Sequence, residues 1–172
     1  EATYLFGNKH IFSPKILNDN TGRIWYAGGK ISMITGSPSH IGINKRNDIT
    51  EIKSSFTDFV SGCAMLIPKT ALHELKGFNE SYSFYYEDID ICLRAKNLGL
   101  KCVYVSDSLV NHKVSYSMGG RFSPFKLFHA TFSKIKYLFY SYNFIFFIIY
   151  LIINIICFPL SIIRRILSII IK

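Results

Sequence analysis

The sequence predicts a mixed α/β domain followed by an apolar C-terminal membrane helix or helical hairpin. Along the chain a strand pattern, a helix, a loop, a second helix and further strands follow one another, an order that suits a mixed sheet covered by helices. Residues 144–163 then carry no charged side chain and are long enough to cross a hydrocarbon core of roughly 30 Å. We therefore expect a domain over residues 1–131 and a membrane-associated helical tail over residues 132–172.

The first third of the domain predicts short strands and one long loop. Residues 10–17 alternate loosely around Pro14 and predict an edge strand, because proline cannot donate to a strand ladder. Residues 24–34 predict two short strands on either side of the Gly28-Gly29 bend. Residues 35–55 are rich in Gly, Ser, Asn, Lys and Asp and predict a mobile surface loop.

The rest of the domain predicts two helices and three strands. Apolar positions recur at helical spacing from Asp88, and Gly99 is placed to end that helix. Asp90 lies four residues before Arg94 on the same helix, which predicts an ion pair. The other elements are predicted from their apolar runs: a buried strand at 59–67, a helix at 69–76, and strands at 100–105 and 107–112.

The charge distribution predicts a membrane as a partner. The formal net charge is +9, yet residues 121–172 contain seven basic residues and no acidic one. Basic residues that flank an apolar run favour anionic lipid headgroups and a cytoplasmic location. They line no polar groove, so we expect no nucleic acid as a partner. We expect attachment to the cytoplasmic face of the cell membrane through the C-terminal segment, with spanning and interfacial insertion both open.

Asp88 is the candidate for acid–base chemistry. It follows a crowded aromatic stretch and lies near the start of the predicted helix, where free N–H groups and the helix dipole favour a carboxylate. Such a position can present a base at the mouth of a pocket, and it can equally be a helix cap. Glu87 lies beside it, and two adjacent carboxylates raise each other's pKa.

An ordered set of motifs resembles the acceptor-side half of family 2 glycosyltransferases, in particular their rhamnosyltransferase-like members. The resemblance covers roughly residues 10–131. It implies the C-terminal half of a GT-A-type mixed sheet, with the nucleotide-binding half preceding it, and we expect this chain alone to be inactive for that reason. The motifs are Ile-Trp-Tyr-Ala-Gly-Gly-Lys at 24–30, Ser-Gly-Cys-Ala-Met-Leu-Ile at 61–67, Gly-Phe-Asn-Glu at 77–80, Glu-Asp-Ile-Asp-Ile-Cys-Leu-Arg at 87–94, and a strand that ends in His112.

The resemblance assigns roles to three of these residues. Asp88 would be the base that removes the proton of the acceptor hydroxyl, and Glu87 would orient the acceptor or Asp88. His112 would complete the coordination of a divalent metal ion, Mn²⁺ or Mg²⁺, that also binds the donor diphosphate. A lone histidine at a strand end can also be structural.

Four further residues are candidates for the substrate site. Trp25 could form an acceptor wall, because its ring offers a flat apolar face to a sugar, or it could be a core residue. Gly28 and Gly29 would allow close approach of the acceptor or simply form a tight turn. Gly62 would make room for the donor sugar or relieve packing in its strand.

The resemblance as a whole implies an inverting, nonprocessive glycosyltransferase. Its donor would be a nucleotide-diphosphate sugar, with rhamnose as the candidate sugar, and its acceptor a lipid-linked or surface polysaccharide. The alternative is a noncatalytic, membrane-tethered glycan-binding or assembly module of the same fold. One departure stands out: Phe132-Ser133 occupies the position where the relatives carry Arg-Asn.

Overall fold

The computed structural model describes residues 2–113, 124–141, 144–145 and 147–152. The chain divides into two compact units, Glu1–Lys134 and Ile135–Lys172. The assignment of functions to residues 1–131 and 132–172 stays a prediction. The helices and strands are α1 (Ala2–Phe6), β1 (Ile11–Asn18), β2 (Ile24–Tyr26), β3 (Gly29–Ile31), β4 (Pro38–His40), β5 (Ser55–Thr57), α2 (Lys69–Glu74), α3 (Glu87–Asn97), β6 (Cys102–His112) and α4 (Pro124–Ser141).

The main sheet is mixed, as the sequence predicts. Its strand order is β2-β1-β6-β5, and β1 runs parallel to β6, whereas the two outer strands are antiparallel to their neighbours. A second sheet consists of β3 and β4 alone. This arrangement fits the half of a GT-A-type sheet that the resemblance implies.

The prediction that β1 is an edge strand is wrong, because β1 pairs with strands on both sides. The register between β1 and β6 passes from Pro14 opposite Val105 to Lys15 opposite Leu109. Residues 106–108 of β6 therefore bulge at the point where proline lacks an N–H to donate, which is where a sheet tolerates it. The two strands predicted at 100–105 and 107–112 are accordingly one bulged strand.

Two other predictions on the strands fail because pairing depends on residues outside the segment itself. Residues 59–67 form no regular strand; Phe59 and Leu66 make only isolated bridges, to Gly29 and Phe12. Residues 35–55 are not simply a loop, since β4 lies within them and pairs with β3, placing His40 opposite Gly29. The two short strands predicted around Gly28-Gly29 are confirmed as β2 and β3.

The core joins the central strands to one face of α3. Ile11, Ile16, Val103 and Tyr104 of β1 and β6 are fully buried, and so is Ile91 of α3. Fully burying a large apolar side chain contributes about 1.5–3 kcal/mol. The apolar spacing that predicts the helix thus fixes which side of α3 faces the sheet, and with it the direction of its N-terminus.

Arg94 joins α3 to the end of α2. Its Nε donates to Asp90 Oδ2 at 2.8 Å, which confirms the predicted pair. Its two terminal nitrogens donate to the carbonyl oxygens of Leu75 and Gly77, and the second bond is 3.0 Å long. These carbonyls follow the last turn of α2, where backbone oxygens have no helical partner. One guanidinium group therefore satisfies three acceptors and fixes α3 relative to α2.

The prediction of a C-terminal membrane helix or hairpin is contradicted. Among the residues that the structure describes, no helix is both long and apolar enough to cross a membrane. The long helix α4 contains Lys126, Lys134 and Lys136 within its 18 residues, and each lysine near a bilayer centre costs about 2.5–3.5 kcal/mol on insertion scales. Positions 146 and 153–163 of the uncharged run, and residues 164–172 after it, lie outside the described residues.

We expect Arg94→Ala to lower the free energy of unfolding by roughly 2–4 kcal/mol, because it leaves two backbone carbonyls and the half-buried Asp90 carboxylate without a donor. Urea unfolding monitored by circular dichroism measures this change. Arg46→Ala is the matched control, since it breaks the exposed Arg46–Asp48 pair and should change stability little. Equal losses in the two variants would show that Arg94 does not join the helices.

Candidate active site

A pocket of about 450 Å³ lies at the N-terminus of α3. Its walls come from β2, from β4, from the segment around Phe59 and from the first residues of α3. The lining residues that bear on the chemistry are Trp25, His40, Phe59, Tyr86, Glu87 and Asp88. Aromatic walls with a few polar groups are typical of ligand pockets.

Asp88 is held in place by two backbone N–H groups. Gly62 donates to its Oδ2 at 3.0 Å and Ile89 donates to its Oδ1 at 2.9 Å. The helix begins at Glu87, so Asp88 is its second residue and makes no capping bond of the usual kind. A Cβ atom on Gly62 would lie 3.2 Å from the Cβ of Asp88. Glycine at position 62 therefore allows the backbone to approach the carboxylate closely.

The turn before α3 is strained. Tyr85 and Tyr86 have φ values of 64° and 69°, in the left-handed region that bulky residues avoid at a cost of about 1–2 kcal/mol each. The preceding Phe84 is fixed by Ser133, whose hydroxyl donates to the Phe84 carbonyl at 2.7 Å. The Phe84 ring also packs edge-on against His129 at 5.5 Å. Strain of this kind persists where the surrounding structure determines the turn, and such places are commonly functional sites.

Burial sets the acidity of both carboxyl groups. It raises the pKa of Asp88 above the ordinary aspartate value, while the N–H groups of Gly62 and Ile89 act in the opposite direction. Burial also raises the pKa of Glu87, and the neighbouring Asp88 raises it further. One oxygen of Glu87 is buried and has no hydrogen-bond partner among the described residues. Desolvation, rather than mutual repulsion, thus dominates at both positions.

His40 is a pocket residue that the sequence did not reveal. Its Nδ1 lies 2.9 Å from the carbonyl oxygen of Trp25, and its ring packs edge-on against the Trp25 ring at 4.5 Å. Burial lowers the pKa of His40, which favours the neutral ring. It lies within the stretch that the sequence predicts as a loop, so no local pattern marks it. Only the pairing of β4 with β3 brings it to the pocket.

Trp25 connects the pocket to His112. Trp25 lines the pocket, and the His112 ring at the end of β6 lies 5.0 Å from it. His112 itself is not among the lining residues. Of the residues proposed from sequence, the structure thus places Trp25, Glu87 and Asp88 around one pocket, Gly62 against Asp88, and His112 against Trp25.

Gly28 and Gly29 do not line the pocket. A Cβ atom on Gly29 would clash with the ring of Phe59, and one on Gly28 would lie 3.2 Å from Ile41 Cδ1. Gly28 also has φ of 106°, which L-residues rarely adopt. Both glycines allow close packing next to the pocket wall, and their proposed part in substrate binding stays a prediction.

The described residues do not form a complete metal site. No group of three or more His, Cys, Asp or Glu side chains comes close enough among them to hold an ion. The ring of His112 packs against the ring of Trp25.

Comparisons with known proteins identify the family of this chain. The model of glycosyl transferase family group 2 matches residues 44–166, which is more than half of the chain and includes Gly62, Glu87, Asp88 and His112. This chain is also similar to two curated relatives, with 34% identity over 61 residues to each. Both are N-acetylglucosaminyl-diphospho-decaprenol L-rhamnosyltransferases from Mycobacterium tuberculosis, one from strain CDC 1551 / Oshkosh and one from strain ATCC 25618 / H37Rv. That match covers 36% of this chain and 20% of each relative, so the chain spans about one fifth of the curated relatives it matches. The chain belongs to glycosyl transferase family group 2.

Proposed function

We propose that this chain is the acceptor-side part of an inverting, nonprocessive glycosyltransferase in which Asp88 is the catalytic base. The observation that carries the proposal is the position of the Asp88 carboxylate, which lines the pocket and is held by the Gly62 N–H at 3.0 Å. In the reaction the acceptor oxygen bonds to the anomeric carbon, the bond from that carbon to the diphosphate breaks, and the hydroxyl proton passes to Asp88.

The environment of Asp88 suits that role. A base works best when its pKa lies near the working pH, and burial raises the pKa of Asp88 towards that range. The two N–H donors limit the rise and fix the direction of the carboxylate. The carboxylate therefore stays available as a base and keeps one orientation.

The substrates we propose follow from the family and from the pocket walls. The donor is a nucleotide-diphosphate sugar, with rhamnose as the candidate, and the acceptor is a lipid-linked or surface glycan. The two relatives, which are named as rhamnosyltransferases acting on a lipid-linked N-acetylglucosaminyl diphosphate, support this choice. Trp25 offers a flat apolar face on which a sugar ring can pack, as aromatic rings do in pockets. Glu87 at the helix start adds a second carboxyl group for the acceptor or for orienting Asp88.

Two further parts of the proposal concern the metal and the location. We propose that His112 contributes one ligand to a divalent ion, Mn²⁺ or Mg²⁺, whose other ligands come from the donor diphosphate and from residues outside this chain. Imidazole suits Mn²⁺ better than Mg²⁺.

We also propose that the protein works at the cytoplasmic face of a membrane, because a lipid-linked acceptor lies there. Flotation of the full-length protein with anionic vesicles tests this location, and a protein that stays at the bottom of the gradient would contradict it.

We expect Asp88→Asn in the full-length protein to lower kcat by about 10²–10⁴-fold, the usual contribution of a general base. The amide keeps the size of the carboxylate and an oxygen for the Gly62 N–H, but it cannot take the proton. Donor binding should remain, and titration calorimetry with the nucleotide sugar measures it. Asp90→Asn is the matched control, because Asp90 pairs with Arg94 on the same helix.

The pH profile gives a second measurement on the same variants. The base acts in its ionised form, so kcat/KM of the wild type should fall as the pH drops through the pKa of Asp88. Because that pKa is raised, the acid limb should lie above the range of an ordinary aspartate. Asp90→Asn should keep this limb. A wild-type turnover rate in Asp88→Asn would leave Asp88 with a structural role only.

We expect His112→Ala to weaken binding of the nucleotide sugar in the presence of Mn²⁺, with partial recovery at higher Mn²⁺ concentration, because one ligand is lost. Binding without metal should change little. His73→Ala, on the exposed surface of α2, serves as the control. The same metal dependence in His112→Ala and wild type would remove His112 from the metal site and leave it as a packing partner of Trp25.

A further inference from the structure

The contacts of His40 determine which of its ring nitrogens is free for a substrate. Its Nδ1 lies 2.9 Å from the Trp25 carbonyl oxygen, which can only accept a hydrogen bond. Nδ1 must therefore carry the proton, and in the neutral ring Nε2 is then an acceptor. The side chain lines the same pocket as Asp88. No hydrogen bond to Nε2 occurs within the described part of the chain.

We propose that His40 is a specificity residue for the acceptor, with Nε2 accepting a hydrogen bond from a second hydroxyl of the acceptor sugar. This inference rests on the proposed function, because it supposes that the pocket binds the acceptor. Asp88 takes the proton of the attacking hydroxyl, and His40 accepts a hydrogen bond from a hydroxyl that does not react.

The chemistry of the pocket supports this division of roles. A sugar presents several O–H donors around a ring with an apolar face, and this pocket offers acceptors at Asp88, Glu87 and His40 together with the ring of Trp25. The carbonyl of Trp25 fixes the imidazole, so its orientation costs little on binding. The same hydrogen bond connects His40 to Trp25, the residue on which the sugar ring would pack. The position of the acceptor and the selection between acceptors therefore depend on the same pair of residues.

A site built to accept a hydrogen bond discriminates against a ligand that lacks the donor. An acceptor without the matching hydroxyl would leave Nε2 unpaired in a partly buried pocket, and such losses lower kcat/KM by roughly 10-fold or more. Changing His40 should therefore alter the ratio of kcat/KM between acceptors rather than lower the turnover of every acceptor equally.

The experiment compares acceptor analogues on two variants, one of which can replace only Nδ1 of His40 and the other Nε2. In His40→Asn the amide nitrogen can replace Nδ1 and still donate to Trp25, but nothing replaces Nε2. In His40→Gln the amide oxygen can reach the position of Nε2. The full-length protein is assayed with a nucleoside-diphosphate rhamnose donor. The acceptors are a short-chain N-acetylglucosaminyl-diphospho-lipid and its monodeoxy analogues.

We expect the wild type to discriminate by roughly 10-fold or more against one monodeoxy acceptor, and His40→Asn to lose that preference. His40→Gln should keep most of it, and His73→Asn, on the exposed surface of α2, should keep all of it. The ratio of kcat/KM for two acceptors on one preparation does not depend on the fraction of folded enzyme. Poor folding of a variant therefore does not mimic the result.

Three outcomes would overturn the inference. Unchanged discrimination in His40→Asn would show that His40 only supports Trp25. A loss of turnover as deep as that of Asp88→Asn with every acceptor would make His40 a base rather than a specificity residue. A wild type that transfers sugar to none of these acceptors, although it binds the donor, would contradict the proposed function itself, and the inference would fall with it.

Discussion

The hydrogen bond from the Gly62 N–H to the Asp88 carboxylate connects the fold to the chemistry. It joins the segment after Phe59 to the first turn of α3, and glycine at position 62 avoids the tight 3.2 Å contact that a Cβ atom there would make with the Cβ of Asp88. The direction of α3 is fixed separately, by its buried apolar face and by Arg94, which bonds the end of α2. Loss of either support would move the carboxylate away from the pocket wall that it shares with Trp25.

The site balances two opposing electrostatic effects. Burial raises the pKa of Asp88, and the two N–H donors lower it. A carboxylate in an apolar pocket without donors would bind a proton too tightly to act as a base, whereas a solvated one would be too weak. The left-handed turn at Tyr85 and Tyr86 adds strain, and the hydrogen bond from Ser133 to Phe84 helps to hold it. Ser133 thus has a structural role at the position where the resemblance leads one to expect a different residue.

Local patterns predict the parts of this protein that depend on neighbours in sequence. The apolar spacing of α3, the Asp90–Arg94 pair and the strands flanking Gly28-Gly29 are examples, and the motif around Asp88 led to the pocket. The place of β1 inside the sheet could not be predicted, because it depends on pairing with β6, which lies more than 80 residues later. His40 was not predicted either, because only the pairing of β4 with β3 brings it to the pocket. The membrane helix was predicted from composition, and among the described residues no helix is long and apolar enough to cross a membrane.

The stereochemistry of transfer tests most directly the claim that Asp88 acts as a base in a single displacement. The full-length protein is incubated with a nucleoside-diphosphate rhamnose of known anomeric configuration and a short-chain N-acetylglucosaminyl-diphospho-lipid. The configuration of the new glycosidic bond is then determined by NMR. One base and one displacement predict inversion at the anomeric carbon. A product that retains the configuration of the donor would require a second displacement or a front-side reaction, and it would contradict the role assigned to Asp88.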